Sequence, residues 1–266
     1  MDDFNYHRPE KIEEAMFLYS NSDDPMYLSG GMTLIPTMKQ RLASPELLID
    51  IADIKDLQFI NEETDRVIIG SGTSHYTVAT SDIINQLIPS LANLAEGIGD
   101  PHVRNMGTIG GAISNNDPTA DYPAACLSLD AKIKTNNRDI YANDFFTGLF
   151  ETSLEENEIV TSVSFNVPKK SSYMKFPNPA SRYAMAGVFI SLFENKVNVS
   201  VTGASEDGVF RWKEMEETLA NNFSVEEARK VKLSSEGVMS DIHADAKYRA
   251  NLVDIMAIRA VENINE

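Results

Sequence analysis

Two glycine-centred turns hold the residue types in this chain that could do chemistry. The first is Leu28-Ser29-Gly30-Gly31-Met32-Thr33, and the second is Arg104-Asn105-Met106-Gly107-Thr108-Ile109-Gly110-Gly111-Ala112. A Gly-Gly pair lets the backbone approach an anion with no Cβ in the way, and Thr33 can cap a helix that follows. The first N–H groups of that helix, and its positive dipole end, would face the same spot. In the second turn, three glycines within five positions interrupt an apolar run. That is costly for a strand. A run of amides and a threonine hydroxyl held against a phosphate or a flavin would give it a reason. The competing reading of each Gly-Gly pair is a bulge or a tight turn. Two such turns, each beside a threonine, bring an anion or nucleotide site level with it.

Periodicity shows which elements would position these turns. Ile12, Ala15, Met16 and Tyr19 recur at helical spacing, which predicts a helix from Pro9 to Tyr19. Met26-Tyr27-Leu28 reads as a strand entering the first turn. Leu34, Ile35, Met38 and Leu42 predict a helix leaving it, and Leu47 to Ile51 a buried strand. Residues 1–53 thus read as a small β–α–β unit. Beyond it, Val67 to Gly70, Ala131 to Lys134 and Ile159 to Val167 read as strands. Helices are predicted over Thr77 to Asp82, Ile83 to Ala95 and Tyr122 to Leu129. Pro168-Lys169-Lys170-Ser171-Ser172 is the most linker-like stretch, so a boundary is expected there. After it, Val188 to Phe193 and Val197 to Val201 suggest an antiparallel pair. Helices are expected over Arg211 to Ala220, Val225 to Lys230 and Asp245 to Glu262.

Composition narrows the classes. The 266 residues suit one large domain or two smaller ones. Lys and Arg number 23 against 40 Asp and Glu, a net charge of −17. No basic run appears, which argues against nucleic-acid binding. An anionic ligand would need local donors, because the global field repels it. Cys126 is the only cysteine. It excludes a disulfide framework, and an iron–sulfur cluster held by this chain alone. No integral membrane segment and no signal peptide are visible. A soluble cytoplasmic protein is expected, or one peripheral to the inner face of the membrane. No metal site is expected. His75 and His102 lack partner ligands at metal spacing and read as supporting or surface side chains, and His7 and His243 as turn residues. Cys126 reads as a small buried hydrophobe. Trp212 is expected in a carboxyl-terminal core, and Glu214, Glu216 and Glu217 on a solvated helix face.

Three strings take the reading further: Tyr6-His7-Arg8-Pro9, Ser29 to Lys39, and Asp100-Pro101-His102-Val103-Arg104-Asn105-Met106-Gly107-Thr108-Ile109-Gly110-Gly111. With Asn116 to Ala124, Asp144 to Gly148 and Asp241 to Arg249, they resemble the FAD-binding medium subunit of the molybdenum hydroxylases. The likeness is greatest to the aerobic-type carbon monoxide dehydrogenase branch, and the xanthine dehydrogenase flavin domain is a more distant relative. The resemblance implies an α+β fold. A two-part FAD-binding domain of the vanillyl-alcohol-oxidase/PCMH type (1–53 and 54–168) would precede a small α+β carboxyl-terminal domain (169–266).

The resemblance also implies a cofactor, FAD, and roles by position. Leu28, Ser29, Gly30, Gly31, Met32, Thr33, Leu34 and Ile35 would line the pyrophosphate. Thr108, Ile109, Gly110, Gly111 and Ala112 would approach from the other side. Asp121 would accept hydrogen bonds from cofactor hydroxyls. Val160 would meet the flavin ring through its backbone, Lys175 would place a cation near it, and Tyr183 would stack on it. Met32 and Ala112 depart from the polar residues usual at those positions, and each loses a hydrogen bond worth about 1 kcal/mol. No catalytic acid or base is implied. In such assemblies the substrate is oxidised at a molybdopterin site on a large subunit. Electrons then pass through [2Fe-2S] clusters of a small subunit to FAD and on to an external acceptor, and the complex is a dimer of heterotrimers. The rival reading is a standalone FAD-dependent oxidoreductase of the same fold. It would need its own substrate pocket and a base over the flavin, and residues 169–266 are few and poor in such groups. A third reading is a binding module that has lost its cofactor.

Overall fold

The first unit is a parallel three-stranded layer; a computed structural model describes it and the rest of residues 1–266. Its elements are β1 (Asn5–His7), α1 (Ile12–Ser20), β2 (Pro25–Leu28), α2 (Leu34–Lys39) and β3 (Leu47–Asp50). The strand order is β1-β3-β2, and both pairings are parallel. The central β3 is buried along its whole length, which accounts for its apolar Leu47-Leu48-Ile49 run; the buried Asp50 that ends it accepts from the Ala52 N–H at 2.9 Å. Leu42 does not extend the apolar face of α2; it is 76% exposed. Arg41 adopts a left-handed conformation (φ 59°), and this ends the helix and turns Leu42 outward.

The second unit opens with β4 (Ile60–Glu63) and β5 (Arg66–Gly70). Six helices follow: α3 (His75–Thr80), α4 (Asp82–Leu87), α5 (Pro89–Glu96), α6 (Pro101–Met106), α7 (Ile109–Asn115) and α8 (Tyr122–Ser128). The unit closes with β6 (Lys132–Thr135), β7 (Asp139–Tyr141), α9 (Ala142–Phe145), β8 (Phe146–Gly148), β9 (Glu151–Thr152) and β10 (Val160–Asn166). The main sheet runs β4-β5-β10-β6-β7, antiparallel throughout. Ile69, Ile133, Val163 and Phe165 pack from this sheet against Leu91, Leu94, Tyr122 and Cys126. Cys126 is buried as expected, and burial pushes its thiol pKa up. The two helices expected over 77–95 are three. Ser81 caps α4 by accepting from the Ile84 N–H, and Pro89 opens α5, where its missing donor costs nothing. His7 is in a strand, not a turn.

The third unit is an antiparallel meander, β11 (Lys170–Pro177), β12 (Ala184–Leu192), β13 (Val197–Thr202) and β14 (Phe210–Arg211). It is followed by α10 (Lys213–Asn221), α11 (Val225–Ala228) and α12 (Ala246–Asn265). Lys170, Ser171 and Ser172, which read as linker, begin β11. Their polar groups serve packing: Ser172 Oγ bonds Asn263 Oδ1 at 3.0 Å, and Lys170 Nζ donates to the Ile264 carbonyl at 2.6 Å. Trp212 lies in the core between this sheet and α12. Arg211 pairs in β14 rather than opening a helix. Glu216 is also not on a solvated face. It is buried, accepts from the Val199 N–H at 2.9 Å, and is held by Arg211 and Lys213.

The opposite face of β12 and β13 receives α8 through a buried polar seam. Ser128 Oγ donates to the Phe189 carbonyl at 2.9 Å, and Ser200 Oγ to the Ala124 carbonyl at 2.6 Å. Thr202 Oγ1 donates to the Ala120 carbonyl at 2.6 Å. These directional bonds set the third unit against the segment that leads into α8. On the other side, Arg249 of α12 is 1% exposed. It donates to the carbonyls of Met185 (2.7 Å), Gly203 (2.9 Å) and Met239 (3.2 Å) and to Asp241 (2.8 Å). Arg249→Met would take the guanidinium donors from two buried carbonyls and a half-buried one. A loss of about 3–5 kcal/mol is expected, read from the midpoint of urea unfolding.

Candidate functional site

The turn after β2 and the turn before α7 interlock. A Cβ built on Gly30 would lie 2.0 Å from the Met106 carbonyl oxygen and 2.7 Å from Gly107 Cα. Only glycine permits that approach. Ser29 Oγ and Thr108 Oγ1 stand 2.9 Å apart across the same contact. Gly31 turns the chain with φ 69°, in the left-handed region. The consequence is a run of six main-chain N–H groups, Ser29 to Leu34, that make no hydrogen bond within the chain. Successive unpaired amides in a turn form a concave anion-binding surface.

The second turn differs from expectation. The Ile109 N–H donates to the Thr73 carbonyl at 3.1 Å, and the Gly110 N–H to the Ser71 carbonyl at 2.8 Å. The Gly111 N–H donates to Thr108 Oγ1 at 3.1 Å, because Thr108 caps α7. The run of free amides predicted here is therefore already bonded. Gly110 exists for packing, since its Cβ would meet Ser71 Cβ at 2.4 Å. Gly111 is the glycine that faces the first turn, with Ser29 Cβ 4.0 Å from the position of its missing Cβ.

Between the turns lies a cleft of about 730 Å³, within the ~300–1,000 Å³ usual for cofactor sites. Leu28 to Leu34, Thr108, Gly110, Gly111, Ala112, Asp121, Val160 and Tyr183 line it. Three predicted residues do not. Ile35 packs behind Gly31, and Ile109 is fully buried in the core of the second unit. Lys175 is turned away. Its ammonium donates to Gly97 O (2.9 Å), Asp121 Oδ2 (3.1 Å) and Arg182 O (3.1 Å). The Asp121 carboxylate also accepts from the Tyr173 hydroxyl. Burial pushes the Asp121 pKa up, opposed by Lys175 and Tyr173.

Several lining residues had no signal in the sequence. Arg182 is the one Lys or Arg on the wall, which it shares with Asp117, Asp121 and Glu158. His75, read as a supporting or a surface side chain, is buried at 4% exposure and stands on the cleft lining. Burial and the Arg104 cation hold its pKa down at about 4, so the ring is neutral. His75 Nδ1 and the Tyr122 hydroxyl are buried without partners. Tyr183 comes from the hairpin between β11 and β12, so all three units contribute to the cleft. Unpaired amides, one cation, neutral hydrogen-bonding groups and apolar walls at Val160 and Met32 fit a ligand with phosphates, a polyol and a flat ring. FAD has all three.

Fold and cleft together define an α+β nucleotide-cofactor protein. Residues 2–169 match the family described as FAD binding domain in molybdopterin dehydrogenase. The chain is 32% identical to the glyceraldehyde dehydrogenase medium chain of Sulfolobus acidocaldarius, over 98% of each protein. It is 32% identical to the carbon monoxide dehydrogenase medium chain of Afipia carboxidovorans, over 97% of this chain and 96% of that one. Among solved structures, reconstituted CO dehydrogenase from Oligotropha carboxidovorans matches with a TM-score of 0.87 and 31% identity, over 99% and 98% of the two chains. The chain belongs to the family of FAD-binding medium subunits of the molybdenum hydroxylases. It is an oxidoreductase component with an α+β fold like that of the carbon monoxide dehydrogenase medium chain.

One ion pair braces the cleft wall around Val160. Glu158 accepts from Arg138 Nε (3.0 Å) and Nη2 (3.0 Å), Thr135 Oγ1 (2.7 Å) and the Glu155 N–H (2.8 Å). Burial alone would raise its pKa, but these donors outweigh it and hold the value down at about 2. A depressed carboxylate stabilises the fold fully above its unfolded value, near 4.5. That stability is lost as pH falls from there toward about 2. Glu158→Gln should flatten this part of the stability–pH curve, measured by urea unfolding between those limits.

Proposed function

We propose that this chain is the electron-transfer subunit of a three-part molybdenum hydroxylase, most like carbon monoxide dehydrogenase. It would receive electrons from [2Fe-2S] clusters on a small partner and deliver them to an external acceptor. A large partner carrying molybdopterin would oxidise the substrate, and the assembly would be a dimer of heterotrimers. The relatives' names support this reading, since several are medium chains or medium subunits. So does the single Cys126, because this chain alone cannot supply cluster ligands. We place the complex in the cytoplasm or at the inner face of the membrane. No helix is long and apolar enough to cross one, and a free buried cysteine suits a reducing compartment. In this reading residues 1–168 form the two-part FAD domain and residues 169–266 the carboxyl-terminal domain.

The observation that carries the flavin site is the unpaired amide run of Ser29 to Leu34. These N–H groups would hold the diphosphate, with Arg182 adding the one cation on the wall. Thr108, Gly111 and Ala112 would close the other side. Asp121 has acceptor capacity beyond Tyr173 and Lys175 for a hydroxyl. Val160 and Tyr183 would border the ring. Bound FAD supplies the chemistry, because it exchanges electrons singly or in pairs. The protein's part would be to hold the diphosphate and orient the ring. Ile35 and Ile109 act from behind, through packing.

The purified chain should release stoichiometric FAD on denaturation, identified by chromatography. Recovery of FMN, or no flavin even after reconstitution with FAD, would contradict the reading. Gly111→Val places a side chain against Ser29 and should weaken FAD binding about tenfold or more, with far-UV circular dichroism unchanged. Substrate should reduce the flavin only when the large and small partners are present. Reduction by this chain with substrate alone would favour the standalone oxidoreductase.

A further inference from the structure

We propose that Lys175 is a positioning residue, a three-way clamp that presets the loop carrying Tyr183 over the cleft, rather than a charge presented to the cofactor. The proposal rests on the flavin-site reading. An ammonium has three N–H groups, and here each finds an oxygen in a different part of the wall. Gly97 lies in the connection between α5 and α6, Asp121 stands just before α8, and Arg182 lies in the β11–β12 hairpin loop. The side chain is 9% exposed and absent from the cleft lining. Its charge is balanced by Asp121 at 3.0 Å, so little net field reaches the cleft.

The hairpin loop needs such an anchor. Asn178 Oδ1 accepts from the N–H groups of Ala180 (2.9 Å) and Ser181 (3.3 Å), and the Asn178 carbonyl accepts from the Arg182 N–H at 2.8 Å. These bonds curl the loop on itself, but they do not fix it over the cleft. Arg182 is left-handed at φ 63°, which lets the chain turn into Tyr183. Two ties hold this residue, one directly to the second unit and one by way of Lys175, whose ammonium also reaches Gly97 and Asp121 of that unit. One is the Arg182 side chain reaching the Gly99 carbonyl at 3.3 Å, at an exposed position. The other is the Arg182 carbonyl held by Lys175. Register explains how Lys175 gets there. Tyr173 and Lys175 are two apart on β11 and share a face, so both reach Asp121. Gly187 on β12 makes room, because a Cβ there would lie 2.5 Å from the Tyr173 hydroxyl.

Lys175→Met alone strands a buried carboxyl, so the test pairs it with Asp121→Asn, which keeps the site neutral. Hydrogen exchange at the amides of Ala180, Ser181 and Arg182 is measured on the full chain, with and without FAD. Affinity for FAD is measured by fluorescence titration. In the Lys175→Met/Asp121→Asn double variant these amides should exchange about 10- to 100-fold faster, while those of α8 stay protected. FAD should bind about tenfold more weakly than it does to Asp121→Asn alone, since Asp121 itself lines the cleft. Adding Tyr183→Ala to the double variant should cost no more, because both changes act through one loop. Unchanged exchange at 180–182, or recovery of full FAD affinity on adding Asp121→Asn to Lys175→Met, would overturn the clamp. If no form of the chain binds FAD, the flavin reading fails, and the exchange data still decide the clamp.

Discussion

The close approach of Gly30 to the backbone of Met106 and Gly107 governs the rest of the site. A missing Cβ on one turn lets another turn sit where a side chain would be, with Ser29 and Thr108 hydrogen-bonded across the join. Because the contact joins the first unit to the second, it also sets the width of the cleft between them. It holds residues 29–34 in an open turn whose amides point to no partner in the chain. These residues are half-buried or, at Met32 and Thr33, exposed, so the amides are left to solvent until a ligand supplies acceptors. The donors are thus built into the backbone of the turn rather than added by side chains.

This arrangement answers an electrostatic difficulty. The chain carries a net charge of −17, yet the ligand its cleft fits is an anion. Main-chain dipoles act over a few ångströms and are indifferent to net charge. Nearby charges are mostly cancelled in pairs, as Lys175 is by Asp121 and Glu158 by Arg138. Arg182 alone is left as a cation on the wall. His75 is kept neutral by burial. The third unit, seated on α8 by the Ser128–Ser200–Thr202 seam, contributes the loop that bears Arg182 and Tyr183.

Much of this was legible in the sequence, for reasons that can be named. Glycines in pairs mark close approaches of backbone, and both turns were found that way. Resemblance placed Asp121, Val160 and Tyr183 on a wall that the structure forms. It also placed Lys175 in the right neighbourhood, but hydrogen bonding turned that side chain away from the cleft. What was misread depended on single local events. The amides of α7 are taken by Ser71 and Thr73, which arrive from a distant turn. Arg41 ends α2 through a backbone angle that its side chain does not announce. Pro89 divides the helix predicted over Ile83 to Ala95 into α4 and α5. Glu216 looked solvated because its neighbours Glu214 and Glu217 are charged, whereas β13 and Arg211 bury it. Arg182 is an ordinary residue in an ordinary string, and only the tertiary fold brings it to the cleft, whereas His75 was read as supporting or surface without its burial being foreseen.

The central claim is that the unpaired amides of Ser29 to Leu34 bind the diphosphate of FAD. Amide nuclear magnetic resonance of the flavin-free chain, titrated in parallel with FAD and with riboflavin, tests it most directly. The account predicts downfield shifts of the 29–34 amide protons with FAD and much smaller ones with riboflavin, which has no phosphate. Equal responses to the two ligands, or shifts confined to residues outside 29–34, would contradict it.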